Sequence, residues 1–172
     1  MPPIEHPPGM FHDVIGWMTS LIVHYGLAGL FISSILGSTI FIPFSVEAVL
    51  PVMVGLKLDL VQIVVVATVG ATIGTSINYA IGFYATELVE KRLGEENLKK
   101  AKHLMDKHGW PGLFLILAAP IPLPIPVDPL TVIPGLAKMN YKEFVIVVLC
   151  AKLIKYTFFV AVSTGLINLL HI

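Results

Sequence analysis

Apolar residues recur along this chain in changing registers, and the changes divide it. Phe11, Val14, Ile15, Met18, Leu21 and Ile22 fall at i, i+3, i+4 and i+7, while His12, Asp13, Gly16, Thr19 and Ser20 lie largely on other faces. That is the pattern of a one-faced helix, and an interfacial helix over 11–24 is predicted, ending at His24-Tyr25-Gly26. From Leu27 to Leu56 nearly every position is apolar or small, but Gly37, Pro43, Glu47 and Pro51 interrupt the run. About 30 residues cannot make two crossings of about 20 each, so 27–56 is predicted to be a re-entrant hairpin. Leu60 to Phe83 is apolar throughout, and 60–83 is predicted to be a transmembrane helix.

The pattern then restarts. Glu87 to Lys107 holds half of the chain's charged residues, with Val89, Leu93, Leu98, Ala101, Leu104 and Met105 at helical spacing. An amphipathic helix over 86–108, lying along the membrane surface, is predicted. Trp110 to Gly135 is apolar but contains Pro111, Pro120, Pro122, Pro124, Pro126, Pro129 and Pro134. No continuous helix tolerates that density, so 110–135 reads as a second re-entrant hairpin, followed by a transmembrane helix over 141–170. The two halves also match in sequence. Tyr25-Gly26-Leu-Ala-Gly29-Leu-Phe31 faces His108-Gly109-Trp-Pro-Gly112-Leu-Phe114, and Val46-Glu47 faces Val127-Asp128. Residues 1–84 and 85–172 are therefore read as a duplication. One crossing per unit makes the second enter from the opposite leaflet. The expected fold is an all-α integral membrane protein, an inverted-topology repeat of interfacial helix, re-entrant helical hairpin and transmembrane helix.

Composition agrees with a bilayer as the solvent: 56% of residues are hydrophobic, 13% are charged, and mean hydropathy is +0.86. Zero net charge argues against a nucleic-acid partner. Lys57 is the only Lys or Arg before Lys91, whereas the middle segment and the Lys138/Lys142 loop are rich in cations. The expected placement is a multi-pass protein of a cell (plasma or inner) membrane, with 85–108 cytoplasmic and both termini outside. The N-terminus has no basic region before an apolar stretch, and is not read as a signal peptide. Cys150 has no second cysteine to pair with, and the six histidines lack metal-ligand spacing. Gly-x-Ser-x-Gly, Gly-x-x-x-x-Gly-Lys and His-Glu-x-x-His motifs are absent from the sequence, so neither enzymatic activity nor a metal or cofactor is expected.

The chemistry worth following is the charge inside apolar sequence. Lys152 and Lys155 lie one turn apart in the last helix, with Tyr156 a turn from Lys152. A lysine near a bilayer centre costs roughly 2.5 to 3.5 kcal/mol, so that face must look toward an anion or water. Each hairpin brings one carboxylate: Glu47 a few residues after Pro43, and Asp128 directly before Pro129, a cap followed by proline at the first helical position. Pro43, Pro51, Pro126, Pro129 and Gly135 shape the hairpins. Half-helix N-termini meeting there, with two ammonium groups, suit a phosphate. Two readings stay open. Either Glu47 and Asp128 cap their half-helices and pair with Lys152 and Lys155 as a neutral network, or the carboxylates exchange protons while the lysines alternate between them and a phosphate. Asn78, in a span with small residues at four-residue spacing (Gly70, Gly74, Gly82), either bonds the facing hairpin or contributes to the substrate site. The small residues suit packing within a protomer or in a homo-oligomer.

Pro43-Phe-Ser-Val-Glu47, the Val69 to Gly82 span, Val127-Asp128-Pro129-Leu130 with Gly135, and Ala151-Lys152-Leu-Ile-Lys155-Tyr156, in that order, resemble the DedA family, also called the VTT or SNARE-associated domain family, and especially its YqaA-type branch. The resemblance implies an inner-membrane protein with two opposed re-entrant hairpins that moves lipids across the bilayer, among them polyprenyl phosphates and phospholipids, with proton coupling. The better-studied branch carries arginines in its second hairpin. Leu117 to Gly135 has none here, and Lys152 and Lys155 are read as supplying that charge. The expected function is lipid or lipid-phosphate transport, with Lys152, Lys155, Tyr156 and Asn78 binding substrate and Glu47 and Asp128 responding to protons. The alternatives are a small-ion or metabolite exporter and a non-transporting membrane scaffold.

Overall fold

The computed structural model describes residues 10–42, 46–93, 95–119 and 127–170, and the elements within them are all helical: α1 (Met10–Gly37), a 3-10 turn (Val46–Ala48), α2 (Leu50–Gly55), α3 (Leu60–Leu93), α4 (Glu95–Ala118), a second 3-10 turn (Asp128–Thr131), α5 (Val132–Leu136) and α6 (Tyr141–Leu170). Pro43 and Pro126 lie outside the described residues.

Three helical stretches are long and apolar enough to cross a membrane, Gly16–Gly37, Leu60–Ala85 and Tyr141–Leu166, where the sequence predicts two. The first is not straight. At Gly26 the backbone takes φ 55 and ψ −125, a conformation that glycine adopts at little cost. The Ser33 hydroxyl reaches the Met18 carbonyl at 3.5 Å, although a straight helix would hold residues so far apart in sequence about 22 Å from each other. A Cβ on Gly29 would lie 2.1 Å from the Leu21 carbonyl oxygen. The chain doubles back at Gly26, and neither arm, 10–25 nor 27–37, has the about 20 residues a crossing needs. Gly109 repeats the feature in α4, with φ 48 and ψ −148.

The charged segment departs from its predicted bounds of 86–108. α3 does not end at 83 but continues to Leu93, whereas the helical run from Glu95 breaks at Gly109, beside the predicted end at 108, before going on to Ala118. Glu87, Glu90, Lys91 and Arg92 are strong helix formers, and no breaker lies between Tyr84 and Leu93, so an established helix simply propagates.

The two halves share a turn that the sequence reading passed over. Ten positions after Glu47, Lys57 closes α2 in a left-handed conformation with φ 57, and ten positions after Asp128, Lys138 closes α5 with φ 53. Each lysine is followed, two residues on, by an Asp or Asn that caps the next helix. The Asp59 carboxylate accepts from the Gln62 amide at 2.8 Å ahead of α3, and the Asn140 side chain accepts from the Lys142 amide at 3.0 Å ahead of α6.

The short helices are exchanged between halves: α2 packs chiefly on α6, and α5 chiefly on α3. Glycines permit the second contact, since a Cβ on Gly82 would lie 2.2 Å from the Val132 carbonyl oxygen and one on Gly135 2.1 Å from that of Tyr79. The Tyr79 ring lies 5.3 Å from Tyr141 and 4.8 Å from Phe144, and its hydroxyl donates to the Met139 carbonyl. The C-terminal part of the α3 span thus meets the start of α6, and the two helices run antiparallel. One apolar cluster joins Met18, Leu30, Leu50, Met53, Ile63, Ala67 and Ala71 to Tyr156, and a second gathers Tyr79, Leu113, Leu117, Phe144 and Val148. Val61, Val65, Ile146, Ile154 and Phe158 point outward, an apolar surface suited to lipid.

Candidate functional site

Lys152 and Lys155 sit near the middle of the apolar stretch of α6, and both are buried. Each meets one carboxylate from a different half. The Lys152 Nζ lies 2.5 Å from Asp128 Oδ1, and the Lys155 Nζ lies 2.5 Å from Glu47 Oε1. The spacing on α6 explains the arrangement: residues at i and i+3 share a face, and that face meets the two 3-10 turns, one from each hairpin. The Asp128–Lys152 pair is more enclosed, with side chains 11% and 1% exposed against 13% and 7% for Glu47 and Lys155. The short turns present their carboxylates because prolines limit the helices around them. Pro51 lies in the first turn of α2, where its missing N–H costs nothing, and Pro134 is buried in α5. Pro129 is the second residue of its 3-10 turn.

Asn78 ties the first hairpin to the second 3-10 turn. Its amide nitrogen donates to the Ser38 carbonyl at 2.9 Å, the Asp128 carbonyl at 3.1 Å and Thr131 Oγ1 at 3.1 Å. Its Oδ1 accepts from the Ile40 amide at 2.8 Å. The contacts reach the first hairpin on one side and the second on the other, and they engage both ends of the amide in protein bonds. Thr131 closes its own turn by donating to the Asp128 carbonyl at 2.5 Å.

Tyr156 is fully buried beside these pairs, with the Lys152 Nζ 5.5 Å from its ring centroid. The predicted substrate-binding and proton-responsive residues therefore occupy one centre, enclosed by α1, α3, α6 and the two turns. An open crevice of about 320 Å3 lies elsewhere, lined by Ser76, Tyr79, Ala80, Phe83, Tyr84 and Tyr141 where α3 ends and α6 begins. Its lining includes none of the residues of the ion pairs. Chemically, each pair is a charge-assisted contact that an anion can replace at the ammonium if the carboxylate is neutralised by a proton.

What the sequence reading missed is the paired Lys57 and Lys138 turns. The signal was present as the repeated spacing from acid to lysine to Asx to long helix, but lysine is not a residue from which a left-handed backbone is read.

The sequence profile of the VTT domain matches residues 42–164, a stretch that takes in both carboxylates, both lysines and Asn78. An uncharacterized protein of the archaeon Methanocaldococcus jannaschii is 26% identical over 141 residues, covering 81% of this chain and 85% of that protein. No solved structure matches.

Proposed function

The chain belongs to the VTT-domain, or DedA, family of transporter-like membrane proteins, and from that premise we propose that it carries a lipid phosphate, a polyprenyl phosphate or a phospholipid, across the bilayer with proton coupling. The observation that supports this most is a pair of ammonium groups in the middle of an apolar helix, each neutralised by a carboxylate from a different hairpin. A phosphate arriving at Lys152 or Lys155 displaces Asp128 or Glu47, and the displaced carboxylate takes a proton so that no bare charge is left in the interior. When the phosphate leaves, the carboxylate gives up its proton and pairs again. The headgroup passes through the protein while the chains stay in lipid, and no covalent bond changes. The hairpins re-enter from opposite leaflets, with 85–108 on the cytoplasmic side of a plasma or inner membrane.

The test is transbilayer movement of a fluorescent phospholipid and of a polyprenyl phosphate in proteoliposomes, with and without a pH gradient. Movement abolished by Glu47→Gln and by Lys152→Ala, in protein that keeps its folded elution profile, is the expected result. If neither lipid moves, the reading fails. A proton flux driven by a soluble substrate would then favour an exporter. The protein engagement of both ends of the Asn78 amide favours a scaffold if nothing moves at all.

A further inference from the structure

Along α3, Ser76, Tyr79, Ala80, Phe83 and Tyr84 fall at i, i+3, i+4, i+7 and i+8, so they make one face of the last turns of the Leu60–Ala85 span. With Tyr141, the first residue of the Tyr141–Leu166 span, they line the crevice of about 320 Å3, toward the lower end of the ~300–1,000 Å3 usual for ligand sites. From Tyr84 to Ser76 is about 12 Å along the helix. The crevice therefore runs from the membrane boundary inward to the depth of Asn78, which is not among its lining residues. Polar groups in its wall are turned away from it. The Ser76 hydroxyl donates to the Thr72 carbonyl at 2.7 Å, and the Tyr79 hydroxyl donates to the Met139 carbonyl. Phe83, Tyr84 and Tyr141 remain 40%, 81% and 50% exposed. One charge stands at the mouth. Lys138 holds its ammonium 6.0 Å from the centroid of the Phe83 ring, and among the described residues no carboxylate pairs with it. Lys142 and Glu143, both exposed at the start of α6, are opposite in sign, so the charge of Lys138 is left uncancelled.

We propose that this crevice binds a phosphate-bearing membrane lipid, with one hydrocarbon chain along the Ser76–Tyr84 face and the phosphate on Lys138. The outline is that of a lipid: a cation at the membrane boundary, and an apolar slot leading from it toward the bilayer centre. The contact of phosphate with ammonium is charge-assisted, and the aromatic walls supply the chain with apolar area. The site is separate from the charged centre and does not depend on that centre moving anything. Tyrosines at a membrane boundary also serve as plain anchors, but an anchor does not select a headgroup.

Bromine on a lipid chain quenches indole fluorescence on contact, so a tryptophan at the crevice reports its occupant. In the full chain carrying Trp17→Phe and Trp110→Phe, Tyr84→Trp places the reporter at the crevice. Ile146→Trp places a control on the outward face of α6, where Ile146 is 63% exposed. The protein is reconstituted in phosphatidylcholine with a rising fraction of chain-brominated phosphatidylglycerol. Half-maximal quenching of Tyr84→Trp is expected at a several-fold lower fraction than that of Ile146→Trp. Lys138→Gln, and separately Ala80→Phe, which fills the slot, are each expected to remove the difference in protein that keeps its elution profile. Equal curves at the two reporters overturn the site and leave Tyr84 and Tyr141 as anchors. A preference that survives Lys138→Gln overturns the placement of the phosphate, and one that survives Ala80→Phe overturns the placement of the chain; either sinks the proposal. The readout is binding, so it stands or falls separately from lipid movement.

Discussion

A lysine ammonium that is 1% exposed has to be answered by another charge, and Asp128 answers Lys152. Replacing Asp128 with Leu strands the ammonium, and stability should fall by about 3–5 kcal/mol. Adding Lys152→Met to the same chain should restore most of the loss, read as Tm in detergent. The Glu47–Lys155 pair has slightly more exposed side chains, so the corresponding change there should cost less. At this scale the sequence was informative, because a charge surrounded by Leu, Ile and Val has few ways to exist in a bilayer. Four ionisable residues stood out for that reason, and the structure brings them together. Which acid meets which lysine was not readable, since it depends on where each hairpin turn lies in space. The saturation of Asn78 was not readable either, as an amide in a helix carries no mark of its four partners.

Helices come together here where side chains are missing. A methyl group on Gly82 or Gly135 would strike a backbone carbonyl that has nowhere to move. Gly82→Ala and Gly135→Ala should each lower Tm by displacing α5, and should weaken the Asp128–Lys152 contact that its preceding turn supports. Gly165 has open space around it in exposed α6, so Gly165→Ala should raise Tm slightly, the ordinary gain of about 1 kcal/mol for alanine over glycine in a helix. The small-residue stripe of α3 was legible as a packing surface, but its partner was not. The end of α3 was misjudged for a definable reason: polarity changes at Glu87, whereas the backbone has no cause to stop there and stays helical to Leu93. At Gly26 the opposite holds, because hydropathy continues across a point where the backbone reverses.

For the molecule as a whole, antiparallel α3 and α6 bring the end of the first span and the start of the last to the same end of the bundle, which the proposed orientation makes cytoplasmic. In a Cys150→Ser background, His103→Cys should resist an impermeant maleimide applied to intact spheroplasts and react once the cells are opened. Labelling from outside would reverse the proposed orientation. The likeness of the two halves is read in the sequence at Glu47 and Asp128, and the packing of α2 on α6 and of α5 on α3 is not, because contact between distant parts of a chain leaves no local pattern.

That packing bears on how the protein is made. When the first half leaves the ribosome, α2 has no α6 to rest on and Glu47 has no Lys155. Until the C-terminal helix arrives, its carboxylate is best held protonated, and its short helix has only lipid for a neighbour. Insertion of the first half is therefore not its completion. The last helix synthesised turns two provisional hairpins into one charged centre, and a chain truncated before α6 should be a target for membrane quality control rather than a smaller version of the same protein.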